Sequence, residues 1–145
     1  MRFQSRFMSA TVHLLIAAAS VPEPAAKALV HGDYFPGNVL VDDRLAVSGL
    51  VDFSVWTVVG DPALDIVGAA LFLEMIEEAT AGDVAHARRL VLDRHGGAIV
   101  PAGRFYRAYA AFAMADPGNA DGLYPKMFPW AIENLAALKA GTIGF

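Results

Sequence analysis

Apolar residues recur at helical intervals from position 3 to about position 20, in a run rich in Ala, Leu and Met that Pro22 and Pro24 bring to an end. The pattern then changes. Residues 28–30 form a short apolar run, and two further apolar segments, 39–41 and 45–51, flank the polar triplet Asp42-Asp43-Arg44. Apolar runs on either side of turn residues predict a β-hairpin with Asn38 and Asp52 at its two ends. Beyond Pro62 the strand signals largely cease. Helices are predicted over 62–79, 83–94, 103–114 and 124–140, with breaks at Gly82, at Gly96-Gly97 and at Pro117-Gly118. No repeat or low-complexity linker is visible, so the expected fold is α+β and mostly helical, with one small hairpin.

Composition narrows the classes. A chain of 145 residues that is 56% hydrophobic can bury one core, so one domain is expected. A net charge of -4 argues against a nucleic-acid partner, which would leave a basic patch. Without cysteine there is neither a disulfide nor a thiolate metal site. The richest apolar stretches, 14–19 and 66–73, fall far short of the roughly twenty residues of a membrane span. The Met1-Arg2 start is not followed by an apolar signal core with a cleavage site, so no membrane association and a cytoplasmic location are expected.

The chemistry concentrates in the octapeptide His31-Gly32-Asp33-Tyr34-Phe35-Pro36-Gly37-Asn38. Protein kinases carry a loop of the form H-R-D-x-x-x-x-N, whose Asp accepts the proton of the acceptor hydroxyl and whose Asn holds a metal ion. The spacing here is the same, with Gly32 in place of Arg. Asp52, followed by Phe53, stands fourteen residues after Asn38, in the order in which a kinase places the carboxylate that binds Mg²⁺ between the phosphates. Taken singly, Asp33 and Asn38 read as ordinary turn residues; their joint spacing carries the assignment. His31 is read as a brace for the loop. Asp61, before Pro62 and a helical pattern, suits a helix N-cap with proline at the first helical position.

On these residues the chain resembles the small-molecule kinases of the aminoglycoside phosphotransferase and choline kinase type. Leu29-Val30-His31-Gly32-Asp33 through Asn38-Val39-Leu40-Val41, and 47–53 leading to Gly60-Asp61-Pro62-Ala63-Leu64-Asp65-Ile66, follow that family's H-G-D-x-x-x-x-N, apolar-Asp-aromatic and G-D-P-x-x-D patterns. The resemblance implies ATP as co-substrate, Mg²⁺ on Asn38 and Asp52, Asp33 as the catalytic residue and a small-molecule hydroxyl as acceptor. It also implies that Asp61 ties down the catalytic loop, with Asp61 and Asp65 supporting the site rather than acting in the chemistry.

The resemblance covers a kinase C-terminal lobe, with residues 1–145 as the catalytic-loop and acceptor lobe. No glycine precedes Gly32, and Lys27, the one upstream lysine, reads as a surface charge, so the glycine-rich loop and strand lysine of the N-terminal ATP lobe are missing from the pattern. Phe35 stands where relatives often carry His, and the apolar stretch 54–59 is slightly longer than is common in them. Glu74, Glu77 and Glu78 fit either a solvated helix face or a carboxylate-lined acceptor pocket. Phe105, Tyr106, Tyr109 and Phe112 fit core or an apolar pocket. The function expected is transfer of the γ-phosphoryl of ATP to a small-molecule alcohol, antibiotic-like or choline-like, by a lobe inactive alone that self-associates or pairs with a separate N-lobe polypeptide. The alternatives are a non-catalytic binding or regulatory module, a subunit of a split kinase and, from a third class, a metal-dependent hydrolase using the same side chains.

Overall fold

The computed structural model describes residues 2–119 and 125–145. The described residues form five α-helices, α1 (Arg2–Ala19), α2 (Ala63–Leu71), α3 (Ala81–His95), α4 (Val100–Met114) and α5 (Met127–Lys139), and two small antiparallel ribbons. Strand β2 (Val39–Val41) pairs with β3 (Val47–Leu50) in the expected hairpin, with a bulge between Leu40 and Val41. Its turn is built by Asp42, whose Oδ1 accepts the N–H groups of Arg44 and Ala46, both at 2.9 Å. Leu45 closes the turn with φ of 62°.

The second ribbon corrects the expectation of a single hairpin. Strand β1 (Ala28–Val30) pairs with β4 (Val58–Gly60), with Leu29 opposite Val59. This pairing spans some thirty residues and closes around the 31–38 loop and the hairpin, so both ribbons hold the same stretch of chain. The helical layout differs in detail too. Helix α2 tightens into a 3₁₀ turn, Phe72–Met75, and ends at the extended Ile76 rather than running to 79. The true break precedes Thr80, whose hydroxyl caps α3 in a reciprocal box with Asp83, so Gly82 lies inside the helix. Gly96, with φ of 65°, ends α3 where the glycine pair was expected to, but α4 already begins at Val100 with Pro101 in its first turn. The predicted start of the last helix, Tyr124, lies outside the described residues.

Helix α4 is the hub, packing on α5, α2 and α1. Two cores result. Val67 and Leu71 of α2 pack with Ile99 and Ala102, while Phe72, Met75, Ala111, Trp130 and Ala131 form a second core. Phe35 of the 31–38 loop belongs to that second core and stacks face to face on Phe72, at 4.3 Å between centroids and 5° between planes. An aromatic ring inserted in this way anchors a loop that would otherwise be held by polar contacts alone.

Between the cores sits a polar knot that the expected layout did not contain. Glu74, read from the sequence as solvent-facing or pocket-lining, has a side chain only 13% exposed. It takes a two-pronged bond from Arg107 at 2.5 and 2.8 Å, one from Arg88 at 2.6 Å and one from the Trp130 indole at 2.8 Å. Four segments of chain thus meet at one carboxylate. Burial alone would raise its pKa, but the donors outweigh burial and hold it below the ordinary glutamate value. Glu77 and Glu78 lie past the 3₁₀ turn and are exposed.

Candidate active site

Strand β1 delivers the chain to His31, which is almost fully buried. Two consecutive N–H groups, those of His31 and Gly32, donate to the two carboxylate oxygens of Asp65 at 2.6 and 2.9 Å. Asp65 stands in the first turn of α2, so the helix itself grips the loop. The tie expected of Asp61 is therefore made by Asp65. Asp61 instead holds the helix start: its Oδ1 accepts the Ala63 N–H at 2.9 Å, and its Oδ2 accepts the Tyr106 hydroxyl from α4 at 2.9 Å. Burial and this carboxylate raise the Tyr106 pKa well above the usual phenol range, which keeps the hydroxyl a donor.

His31 braces the loop with both ring nitrogens. Its Nδ1 accepts the Asp33 N–H at 3.3 Å, which leaves Nε2 to donate to the Val51 carbonyl at 2.8 Å. The imidazole thus links the residue before Asp52 to the backbone of Asp33. Asn38 is oriented in a similar way. Its side-chain amide donates to the Asp33 carbonyl at 2.8 Å, while its own carbonyl accepts the Val51 N–H at 3.0 Å. That last bond carries the β2–β3 pairing one step beyond the ribbon and sets Asn38 and Asp52 at the same end of it. Asp52 has φ of 64°, a left-handed conformation unusual for a side-chain-bearing residue.

Gly32 shows why arginine has no place in this loop. Its φ is +79°, and a Cβ there would lie 2.2 Å from the Trp56 carbonyl oxygen. The approach is fixed by Thr57, whose hydroxyl donates to the His31 carbonyl at 3.2 Å and accepts the Ser54 N–H at 3.1 Å. The stretch 54–57 is accordingly a turn clamped on the loop, and 58–59 already belong to β4. Gly32→Ala adds a steric clash to left-handed strain of about 1–2 kcal/mol, so a loss above about 2 kcal/mol in urea unfolding is expected. Gly37→Ala is the control, since its added methyl would meet nothing within 4 Å. Equal midpoints for the two variants would refute the clash.

Asp33 lies at a cleft of about 270 Å³ between the loop and α4. Phe35, Phe72, Trp56, Tyr109, Met114 and Met127 are among its lining residues. Partial burial raises the Asp33 pKa above the ordinary aspartate value; the charge of Asp52 adds to the rise and His31 opposes it. Among the described residues no group of three or more His, Asp or Glu side chains lies close enough to hold a metal.

Residues 9–100 match the model of a phosphotransferase enzyme family. The chain belongs to that family. No curated protein sequence matches it. Among solved structures, this phosphotransferase-family chain is similar to aminoglycoside phosphotransferase APH(4)-Ia. A thermostable mutant of that protein in ternary complex with AMP-PNP and hygromycin B aligns at 21% identity and a TM-score of 0.71, over 99% of this chain and 46% of that one. Another structure of APH(4)-Ia aligns at 20% identity and a TM-score of 0.70, over 97% and 45%. The present chain spans about half the length of the structures it matches.

The phosphotransferase motifs themselves were legible before the fold, but several residues that shape the site were not. Thr57, Trp56 and Tyr106 act through contacts with residues 24–45 positions away. A tryptophan just after Asp52-Phe53, in a stretch otherwise of valines and hydroxyl residues, was the one sequence signal available for them.

Proposed function

We propose that the chain is the catalytic-loop and acceptor lobe of an ATP-dependent phosphotransferase that moves the γ-phosphoryl group of ATP to a hydroxyl of a small molecule in the cytoplasm. One observation carries the reading: Asp33, with its pKa raised, sits at a cleft and shares a loop frame with Asn38 and Asp52. In this mechanism Asp33 orients the acceptor hydroxyl and takes its proton, work for which a raised carboxylate pKa is suited. His31 and Asp65 keep the loop rigid, so that the carboxylate meets the hydroxyl without reorganisation. The Asn38 amide nitrogen is committed to the Asp33 carbonyl, and Oδ1 is the side chain's acceptor. That oxygen and the Asp52 carboxylate form a hard, all-oxygen donor pair, which suits Mg²⁺, an ion that takes few protein ligands and keeps waters or phosphate oxygens. Bound there, Mg²⁺ would neutralise charge on the phosphates.

The surface supports the lobe reading. Apolar side chains crowd the ribbons beside the loop, among them Leu29, Val47, Phe53, Val59 and Val55, the last 90% exposed. A nucleotide-binding lobe covering this face would account for their exposure. The same uncovered face is what favours the second reading, a subunit of a split kinase or a non-catalytic binding module.

The 145-residue chain alone is therefore expected to show no acceptor-dependent ADP release from ATP, and to self-associate in sedimentation or to gain activity with a supplied N-terminal lobe. Turnover by the purified monomer, abolished by Asp33→Asn, would show that it holds ATP in some other way and overturn the lobe reading.

A further inference from the structure

The walls of the cleft differ in chemistry from what an amine-rich acceptor needs. Among the described residues that line it, only Asp33 is charged. A polycation would require several carboxylates facing one space, and among the described residues the carboxylates of Glu74, Asp61 and Asp65 are engaged elsewhere. Glu74 is enclosed by Arg107, Arg88 and Trp130; Asp61 and Asp65 are bonded to Tyr106, Ala63 and the loop backbone. Glu77 and Glu78 are exposed and do not line the cleft. What the cleft does offer is flat and apolar. Trp56 and Tyr109, 53% and 38% exposed, line the same cleft as Asp33, together with the stacked pair Phe35 and Phe72. Met114 and Met127 add adaptable, polarisable walls. Its volume lies just under the about 300–1,000 Å³ of drug-sized sites, so a ligand of one or two rings suits it.

We propose that the cleft takes an uncharged, mainly apolar alcohol bearing a planar ring, whose ring lies against Trp56 and Tyr109 and whose hydroxyl meets Asp33. This specificity rests on the phosphotransferase reading for its chemical consequence, but the binding step does not depend on nucleotide.

Trp56 is itself the reporter, because the second tryptophan, Trp130, is buried at the Glu74 knot. Titration of the 145-residue chain with 2-(2-naphthyl)ethanol should change tryptophan emission saturably, and Trp56→Phe should remove the change. Ala113→Phe, which adds a ring at an exposed position lining the cleft, should weaken binding at least about tenfold. Hygromycin B, an amine-bearing probe, should give no saturable response over the same concentrations. Equal or tighter binding of hygromycin B would overturn the proposal, as would absent naphthylethanol binding or binding that Ala113→Phe leaves unchanged. Failure of the two readings is distinguishable. Asp33-dependent phosphorylation of hygromycin B by the chain joined to a nucleotide-binding lobe would overturn this specificity while supporting the phosphotransferase reading. Binding of naphthylethanol with no transfer to any alcohol would do the reverse.

Discussion

Asp33→Asn should lower kcat about a hundred to ten thousandfold, the usual worth of general-base catalysis, in a fusion of this chain behind the N-terminal half of APH(4)-Ia. ATP affinity should change little, since Asp33 is assigned to the acceptor rather than to the nucleotide. Stability offers a control. The folded-state pKa of Asp33 is raised, chiefly by burial, so the residue favours folding below its unfolded pKa and loses that contribution as pH rises through the folded value. At neutral pH the charged form is a burden on the fold, and the Asn variant should be at least as stable as the parent. For the same reason, kcat/KM should fall on the acid side along a limb displaced above the ordinary aspartate pKa, and that limb should vanish in the variant. Unchanged turnover in Asp33→Asn would remove the residue from the mechanism; lost turnover with lost folding would leave its role untested by that variant, and Asp33→Glu kinetics would then decide.

Glu74→Ala should be the most damaging single change to the fold, at about 3–5 kcal/mol, because it strands the buried Arg107 guanidinium without its partner. Arg107 touches Glu74 through a fork and also donates to Asn134 Oδ1 at 3.1 Å, so α4, α5 and the 3₁₀ turn lose a shared anchor together. Urea unfolding at pH 7 measures the loss. Because the Glu74 pKa is lowered in the fold, its contribution is fully present above the unfolded glutamate pKa and fades as pH falls through the folded value. The stability gap between parent and Glu74→Gln should therefore narrow on acidification below about pH 4.5. A constant gap from pH 7 to pH 3 would show that the knot is not held by the ionised carboxylate.

The two predictions concern different parts of the molecule, and the contrast between them is physical. Glu74 lies in the helical body, away from the reactive loop, and was offered by the sequence as a surface or pocket residue. Its burial depends on two arginines, one 14 and one 33 positions away, arriving on α3 and α4 from different directions. A helical period records which residues share a face. It does not record what that face meets.

The sequence by itself determined the local chemistry: the five-residue spacing of Asp33 and Asn38, the Asp42 turn that returns the chain toward Asp52, the capped start of α2 at Asp61-Pro62, and a body of helices beyond it. Each depends on interactions within a few residues, where turn geometry and periodicity leave few alternatives. Tertiary structure decided the pairing of β1 with β4, the grip of Asp65 rather than Asp61 on the loop, the approach of Trp56 that only Gly32 admits, the insertion of Phe35 between loop and core, and the apolar lining of the cleft. Those contacts join segments 20 or more residues apart, and short strands such as Ala28–Val30 and Val58–Gly60 acquire their conformation from the partner they meet rather than from their own preferences.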